Sequence, residues 1–277
     1  MRWKVQDSVS EVASGIFFVQ GPASNWTIIR DVAGAEPKEE SAEPQRGEQT
    51  SDPGSERFLL VDTGYPGDRE KLLESIAWCG LELSDCCGVV VTHAHSDHIG
   101  SAKFLAEQGI PIYAHALELP NLRREVSEQV TLADFGWRVM IPRVLRWLRH
   151  AVRVGGLSDV SVAEPQEVSA EVLGALPGAA ELILTGVHTS GHLALYLPEA
   201  GVLLSGDVVV TGHPLSRWQG PQTLPKLFHH QPELIAQGIE KLKPLNVRLL
   251  LPGHGPYLRV EQEWFEQVRV ADYWPYR

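Results

Sequence analysis

The chain has 277 residues, 43% of them hydrophobic, and a formal net charge of −11 at pH 7. That is enough for one large α/β domain, with no apolar run of the roughly 18 residues that a membrane span needs. The acidic balance speaks against general nucleic-acid binding, which relies on Lys and Arg to neutralise phosphates.

In chain order, apolar runs read as strands at residues 15–20 and 26–30. Residues 31–57 follow, rich in Glu, Pro, Ser, Gln and Gly with almost nothing to bury, and read as a flexible loop. A strand is expected at 58–62, a helix at 68–79, a short strand at 88–91, a helix at 101–107 and a strand at 111–114. The stretch from 118 to 158 is largely helical. Within residues 137–154, Ile141, Val144, Leu145, Leu148 and Val152 recur at helical spacing, with Arg143, Arg146, Arg149 and Arg153 elsewhere around the helix. Strands are expected again at 182–184, 202–204 and 247–251, with a helix around 232–241. The N-terminus, Met1 to Asp7, lacks the apolar core of a signal peptide. Cys79, Cys86 and Cys87 are odd in number and without ligand spacing, so a reduced, cytoplasmic setting is expected.

The densest chemistry lies in Thr92-His93-Ala94-His95-Ser96-Asp97-His98-Ile99-Gly100, where three imidazoles and a carboxylate follow an apolar strand. Such a cluster on a strand-to-helix loop points to a metal, and zinc suits imidazole nitrogen together with carboxylate oxygen. Further candidates close later apolar runs: His192 in His188-Thr189-Ser190-Gly191-His192, Asp207 in Leu204-Ser205-Gly206-Asp207, and His254 in Leu251-Pro252-Gly253-His254-Gly255. Asp62 in Leu60-Val61-Asp62-Thr63-Gly64 makes a fifth such motif.

As a set, over about residues 12 to 257, these motifs resemble the metallo-β-lactamase superfamily of binuclear metallohydrolases. The resemblance implies an α/β fold, the four-layer αβ/βα sandwich of that superfamily, as a single domain over 1–277 with a helical cap insertion at 118–158. It also implies two Zn²⁺ ions, with iron or manganese compatible. His93, His95 and His192 would hold one; Asp97, His98 and His254 the other; Asp207 would bridge them. A hydroxide shared by two cations would then attack a carbonyl carbon, with Asp97 and Asp207 the carboxylates of the reaction. Asp62 would orient a ligand imidazole through its other ring nitrogen. His192 is preferred to His188 because it follows the Ser-Gly turn. His115, His150, His213, His229 and His230 read as surface or pocket-rim residues, with His213, close after Asp207 in the chain, the one placed to touch substrate.

Asp207 stands where a true β-lactamase carries Cys or Ser, and His95 where flavin-linked di-iron reductases carry Glu. The ligand set is shared with glyoxalase II, whose helical C-terminal extension has no counterpart in the short tail after His254. The activity implied is therefore hydrolysis of a small lactone, ester or thioester, with an anionic or acyl-bearing substrate. A mononuclear iron thiol or persulfide dioxygenase and a phosphodiesterase are the alternatives, and the intact ligand set argues against a non-catalytic scaffold. In this superfamily the cap often covers the pocket, so Trp137 and Trp147 are expected to line it and Arg143 and Arg146 to meet a substrate carboxylate. No nucleic-acid partner and no stable membrane insertion are expected; the oligomeric state is not legible.

Overall fold

The computed structural model describes residues 3–31 and 57–271. Among these, two sheets form around central runs of Val, Ile and Leu buried on both faces, with more exposed strands toward their edges. The first holds β1 (Val9–Ala13), β2 (Ile16–Val19), β3 (Trp26–Arg30), β4 (Phe58–Val61), β5 (Cys86–Val90), β6 (Ile112–Ala114) and β7 (Gln166–Glu167) side by side in chain order. The second runs β12 (Leu258–Arg259), β11 (Leu249–Pro252), β10 (Val202–Gly206), β9 (Leu193–Leu197), β8 (Glu181–Leu184). The helices are α1 (Val5–Ser8), α2 (Arg69–Trp78), α3 (Ala102–Glu107), the single turns α4 (Leu119–Leu122) and α5 (Leu132–Phe135), then α6 (Pro142–Arg153), α7 (Ala170–Ala175) and α8 (Ile235–Glu240).

Alternation along the strands sets the layers, because successive side chains point to opposite faces. In β4, Phe58 and Leu60 pack with Leu72, Ile76, Ala102 and Leu105 of α2 and α3, while Leu59 and Val61 point the other way. There they meet Leu195, Val202, Leu204 and Leu249 of the second sheet. Leu203 and Leu250 face outward again, against Ile235 and Ile239 of α8. The order is helices, sheet, sheet, helix, which is the αβ/βα sandwich. Such double burial, worth about 1.5–3 kcal/mol per large aliphatic side chain, explains why the strands read as unbroken apolar runs.

Strands β4, β5, β6 and β7 pair in parallel, as do β10 and β11. Asp62, the Thr92–Gly100 loop, the 185–192 loop, Asp207 and His254 all follow the C-terminal ends of strands, so the topology gathers them at one edge of the sandwich.

The cap departs from the expected continuous helix over 137–154. Residues Gly136–Met140 form a 3₁₀ turn, and the α-helix begins only at Pro142. Pro142 disfavours helical geometry at Ile141, which is extended with φ −69° and ψ 123°, and then opens α6 as its first residue. The buried side of α6 is Val144 with Trp147 and Leu148, packed on Phe135, Leu215, Leu224 and Phe228. Leu145 and Val152, expected on the buried stripe, are exposed.

The expected flexible loop, residues 31–57, lies outside the described residues except at its two ends. Those ends are adjacent: Arg30 pairs with Phe58 across β3 and β4, and Asp31 N–H donates to Arg57 C=O at 2.8 Å. Joining them by a short Gly/Ser turn is therefore expected to shift Tm by no more than a few degrees, since closure entropy depends weakly on loop length. Thermal melts of the shortened chain check this; a large loss of Tm or turnover would show that the segment packs on the body.

Candidate metal centre

Two groups of ligands, buried except for the half-buried Asp97, share a carboxylate. His93, His95 and His188 lie together, Asp97, His98 and His254 lie together, and Asp207 joins His93 and His98. Asp207 Oδ2 is 3.5 Å from His188 Nε2, 3.2 Å from His254 Nε2 and 4.0 Å from His93 Nε2; its Oδ1 is 3.6 Å from His98 Nε2. Gly253 permits this approach, because a Cβ there would lie 2.2 Å from Asp207 Oδ1.

The hydrogen bonds around the imidazoles fix which nitrogen each ring turns to the centre. His98 Nδ1 donates to Asp62 Oδ2 at 2.8 Å, and His254 Nδ1 donates to the Ala23 carbonyl at 2.7 Å, so Nε2 of each is the nitrogen that a metal would take. His95 Nε2 donates to the Glu128 carbonyl, leaving Nδ1 bare. His229 Nε2 donates to the Leu224 carbonyl, so its Nδ1 accepts from His188 Nδ1 and leaves His188 Nε2 bare. The two bare nitrogens of His95 and His188 face each other at 3.0 Å, a contact that a bound cation would relieve. His93 Nε2, His98 Nε2 and Asp207 Oδ1 are buried with no hydrogen-bond partner. Buried orphans of this kind are costly unless something binds them, so the donor set fits metal ions.

His192 differs from its expected role. Its Nε2 accepts from Asp207 N–H at 2.9 Å and its Nδ1 bonds Thr185 Oγ1 at 2.6 Å, so neither nitrogen is left for a metal. Thr185 and Gly186 N–H both donate to its carbonyl, which places it at the neck of the loop between β8 and β9; His188, nearer the tip, reaches the centre instead. Sequence spacing did not separate the two, because both flank the same turn.

Asp62 sits at φ 59°, unusual outside glycine, and its carboxylate accepts from Thr92 N–H, Thr92 Oγ1 and His98 Nδ1. Two glutamates that the sequence reading did not single out hold the ligand loops. Glu118 is fully buried and accepts from Ala94 N–H, Thr189 Oγ1 and Gly191 N–H, tying the His93–His95 loop to the His188 loop. Burial pushes its carboxyl up to about 7 despite the donors from Ala94, Thr189 and Gly191. Glu128 accepts from Ser190 N–H and Oγ at 2.6 Å each. Their partners are 24 to 73 residues away, so only the fold reveals them.

Of the residues expected to line a pocket, Trp147 and His213 come nearest. The Trp147 ring lies 6.0 Å from His213, whose ring stands edge-on 5.2 Å from His254. His213 and His229, expected at the surface or rim, are buried. Arg143 is placed elsewhere than expected: its guanidinium donates to the Pro214 and Ser216 carbonyls, fastening α6 to the loop that carries His213. Arg146 is exposed on the far side of α6, and Trp137 projects into solvent.

Charge within the centre divides by group. Burial, then the neighbouring imidazoles, hold His93 and His188 well below the ordinary histidine value, so both are neutral and ready to donate a lone pair. Burial also lowers His254, but Asp207 and Asp97 outweigh it and raise it from 6.5 to about 10. Burial raises Asp97, but His98 and His254 outweigh it and lower it from 3.8 to about 2. In the metal-free chain the His254 contribution to stability is thus complete below pH 6.5 and lost as pH rises toward about 10. The Asp97 contribution is present above pH 3.8 and lost as pH falls toward about 2. A bound cation requires neutral imidazole, so the gain in Tm on adding zinc to chelator-treated protein should grow from about pH 6 to about pH 8.5. A gain that is flat or shrinks over that range would contradict displacement of these protons.

The family model of the metallo-beta-lactamase superfamily matches residues 53–254. The chain belongs to that superfamily. Among its metallo-hydrolase relatives, the probable metallo-hydrolase YflN of Bacillus subtilis (strain 168) is 28% identical over 207 residues, which cover 72% of this chain and 75% of the relative. Two solved structures share the fold. TTHA1623, in a di-iron-bound form, aligns with a TM-score of 0.52 at 22% identity, covering 86% of this chain and 91% of its own. The metallo-beta-lactamase family protein TTHA1429 from Thermus thermophilus aligns with a TM-score of 0.55 at 19% identity, covering 92% and 78%. This metallo-β-lactamase superfamily member thus carries His and Asp groups able to bind metal at the sandwich edge. No helix among its described residues is long and apolar enough to cross a membrane.

Proposed function

We propose that the protein is a binuclear zinc-dependent hydrolase of a small lactone, ester or thioester. The observation that carries this reading is the shared carboxylate: Asp207 lies within 4.0 Å of imidazole nitrogens from both ligand groups. His93, His95 and His188 would hold one ion, Asp97, His98 and His254 the other, and Asp207 both. Metal held by these residues would supply, when bound, a hydroxide nucleophile near neutral pH and Lewis-acid polarisation of a carbonyl. The chain's own groups do the rest. Asp62, Ala23, Glu128 and His229 orient the rings so that the ligand nitrogens converge, and Glu118 keeps the two histidine loops in register. The centre is buried, which limits bulk water and strengthens its electrostatics.

His213 Nδ1 accepts from Leu215 N–H at 3.2 Å, so its Nε2 carries a proton. With Trp147 it forms the wall beside His254, where a substrate's polar end would find one donor and one aromatic face. Burial pushes Cys79 and Cys86 up to about 12, so neither thiol competes as a nucleophile. All three cysteines are free, which supports a cytoplasmic setting.

Metal analysis of freshly purified protein, followed by turnover assays on lactones, thioesters, phosphodiesters and cephalosporins, tests the reading. Two zinc ions per chain and preferential cleavage of carbonyl esters are expected. One iron per chain with oxygen uptake on a thiol or persulfide would replace it with the dioxygenase reading. The di-iron form of TTHA1623 makes iron the competing metal to measure.

A further inference from the structure

The cap presents an outward face that the metal centre does not use. Residues 135 to 158 contain no Asp or Glu but carry Arg138, Arg143, Arg146, Arg149 and Arg153, in a chain whose net charge is −11. Taking Val144 as the inward reference on α6, Arg146, Arg149 and Arg153 lie roughly 140–200° around the helix, on the opposite side. All three are exposed. The same segment also leaves apolar side chains in water: Trp137 at 72% exposure, Met140 at 78%, Val152 at 52% and Leu157 at 76%. The nearest flanking carboxylates are engaged locally, Asp134 with Thr131 and Asp159 with Lys103.

We propose that this face docks the protein on an anionic lipid surface, with Arg146, Arg149 and Arg153 at the headgroups and Trp137 and Met140 inserted among them. Charge chooses the occupant. A protein of net charge −11 is repelled by an anionic bilayer unless a basic, amphiphilic face leads, and interfacial helices combine this same pairing of arginine with large apolar side chains. Arg143 does not take part, because its guanidinium is committed to the Pro214 and Ser216 carbonyls, and that clamp holds α6 rigidly on the body. Docking of this face does not depend on which bond the metal centre cleaves.

The test is co-sedimentation of the full chain with phosphatidylcholine vesicles, with and without phosphatidylglycerol, at low and high salt. Binding is expected only with phosphatidylglycerol present, and it should weaken as salt screens the charges. Replacing Arg146, Arg149 and Arg153 together with Gln should lower the partition coefficient on the order of a hundredfold, at about fivefold for each guanidinium. These side chains are exposed, so Tm should hold. Trp137→Ser with Met140→Ser should also lower partition while leaving its salt dependence in place. Equal partition to neutral and anionic vesicles, no binding to either, or an unchanged triple variant would overturn the proposal. So would a dimer in size-exclusion chromatography that dissociates when Trp137 and Met140 are replaced, since that assigns the face to a second copy of the chain.

Discussion

His188→Ala is expected to release the ion held by the His93 group and to lower turnover on the order of a hundred- to a thousandfold, with the fold retained. His188 Nε2 is bare, faces His95 Nδ1 at 3.0 Å, and is aimed there by His229. Its removal takes one of three imidazoles from the first group, and a metal ion contributes several kcal/mol to a hydrolytic transition state. His192→Ala is expected to behave in the opposite way. That ring is buried, accepts from Asp207 N–H and donates from Nδ1 to Thr185 Oγ1, so alanine leaves a cavity, an orphaned Asp207 N–H and an unmet Thr185 Oγ1. The cost is about 2–5 kcal/mol, or a fall in Tm on the order of 5–15 °C, with metal stoichiometry largely kept. Metal content by elemental analysis and Tm by calorimetry, measured on both variants, separate the two roles. Retention of both ions by the His188 variant, together with loss of one by a His192 variant of normal Tm, would reverse the assignment.

That pair also shows what the chain discloses before it folds. The central strands are legible because they are short apolar runs ending at a polar residue beside a turn, whereas β1, β7 and β12, mixed in composition and partly exposed, carry no such signal. Periodicity and punctuation are local properties. The Thr92–Gly100 cluster is legible for the same reason, since three imidazoles within six positions have few other uses. What fails is aim. Whether His188 or His192 points at the centre depends on which residue sits at the neck of a loop, and that is set by backbone hydrogen bonds from Thr185 and Gly186. Arg143 reads equally well as a substrate ligand or a clamp until Pro214 and Ser216 are brought beside it. Glu118 carries no local signal at all. It is a single glutamate between leucines, and its meaning comes from donors on two distant loops. Leu145 and Val152 fit a helical stripe that the cap does not bury, because Pro142 restarts the helix and Val144 turns inward instead.

Asp207→Ala should have the largest effect of any single change, because this carboxylate faces four imidazole nitrogens from two groups. Without it, two cations would sit close together with no shared anion, and their repulsion in a buried, low-dielectric site would be poorly screened. Loss of at least one tightly bound ion and a drop in kcat on the order of a thousandfold or more are expected. Asp207→Asn distinguishes charge from shape. The amide keeps the volume and leaves the backbone N–H bonded to His192, and its NH₂ can donate to a bare imidazole nitrogen where the carboxylate would accept a cation. Asn should therefore bind metal as poorly as Ala, yet melt closer to wild type when both are stripped of metal. It should also release the hold on His254, whose raised value owes much to Asp207, so that this imidazole loses its proton at lower pH. Histidine NMR titration of the metal-free variants reads that change directly. If Asp207→Asn keeps two tightly bound ions and near-normal turnover, the carboxylate is not shared between the groups, and the two-ion reading falls with it.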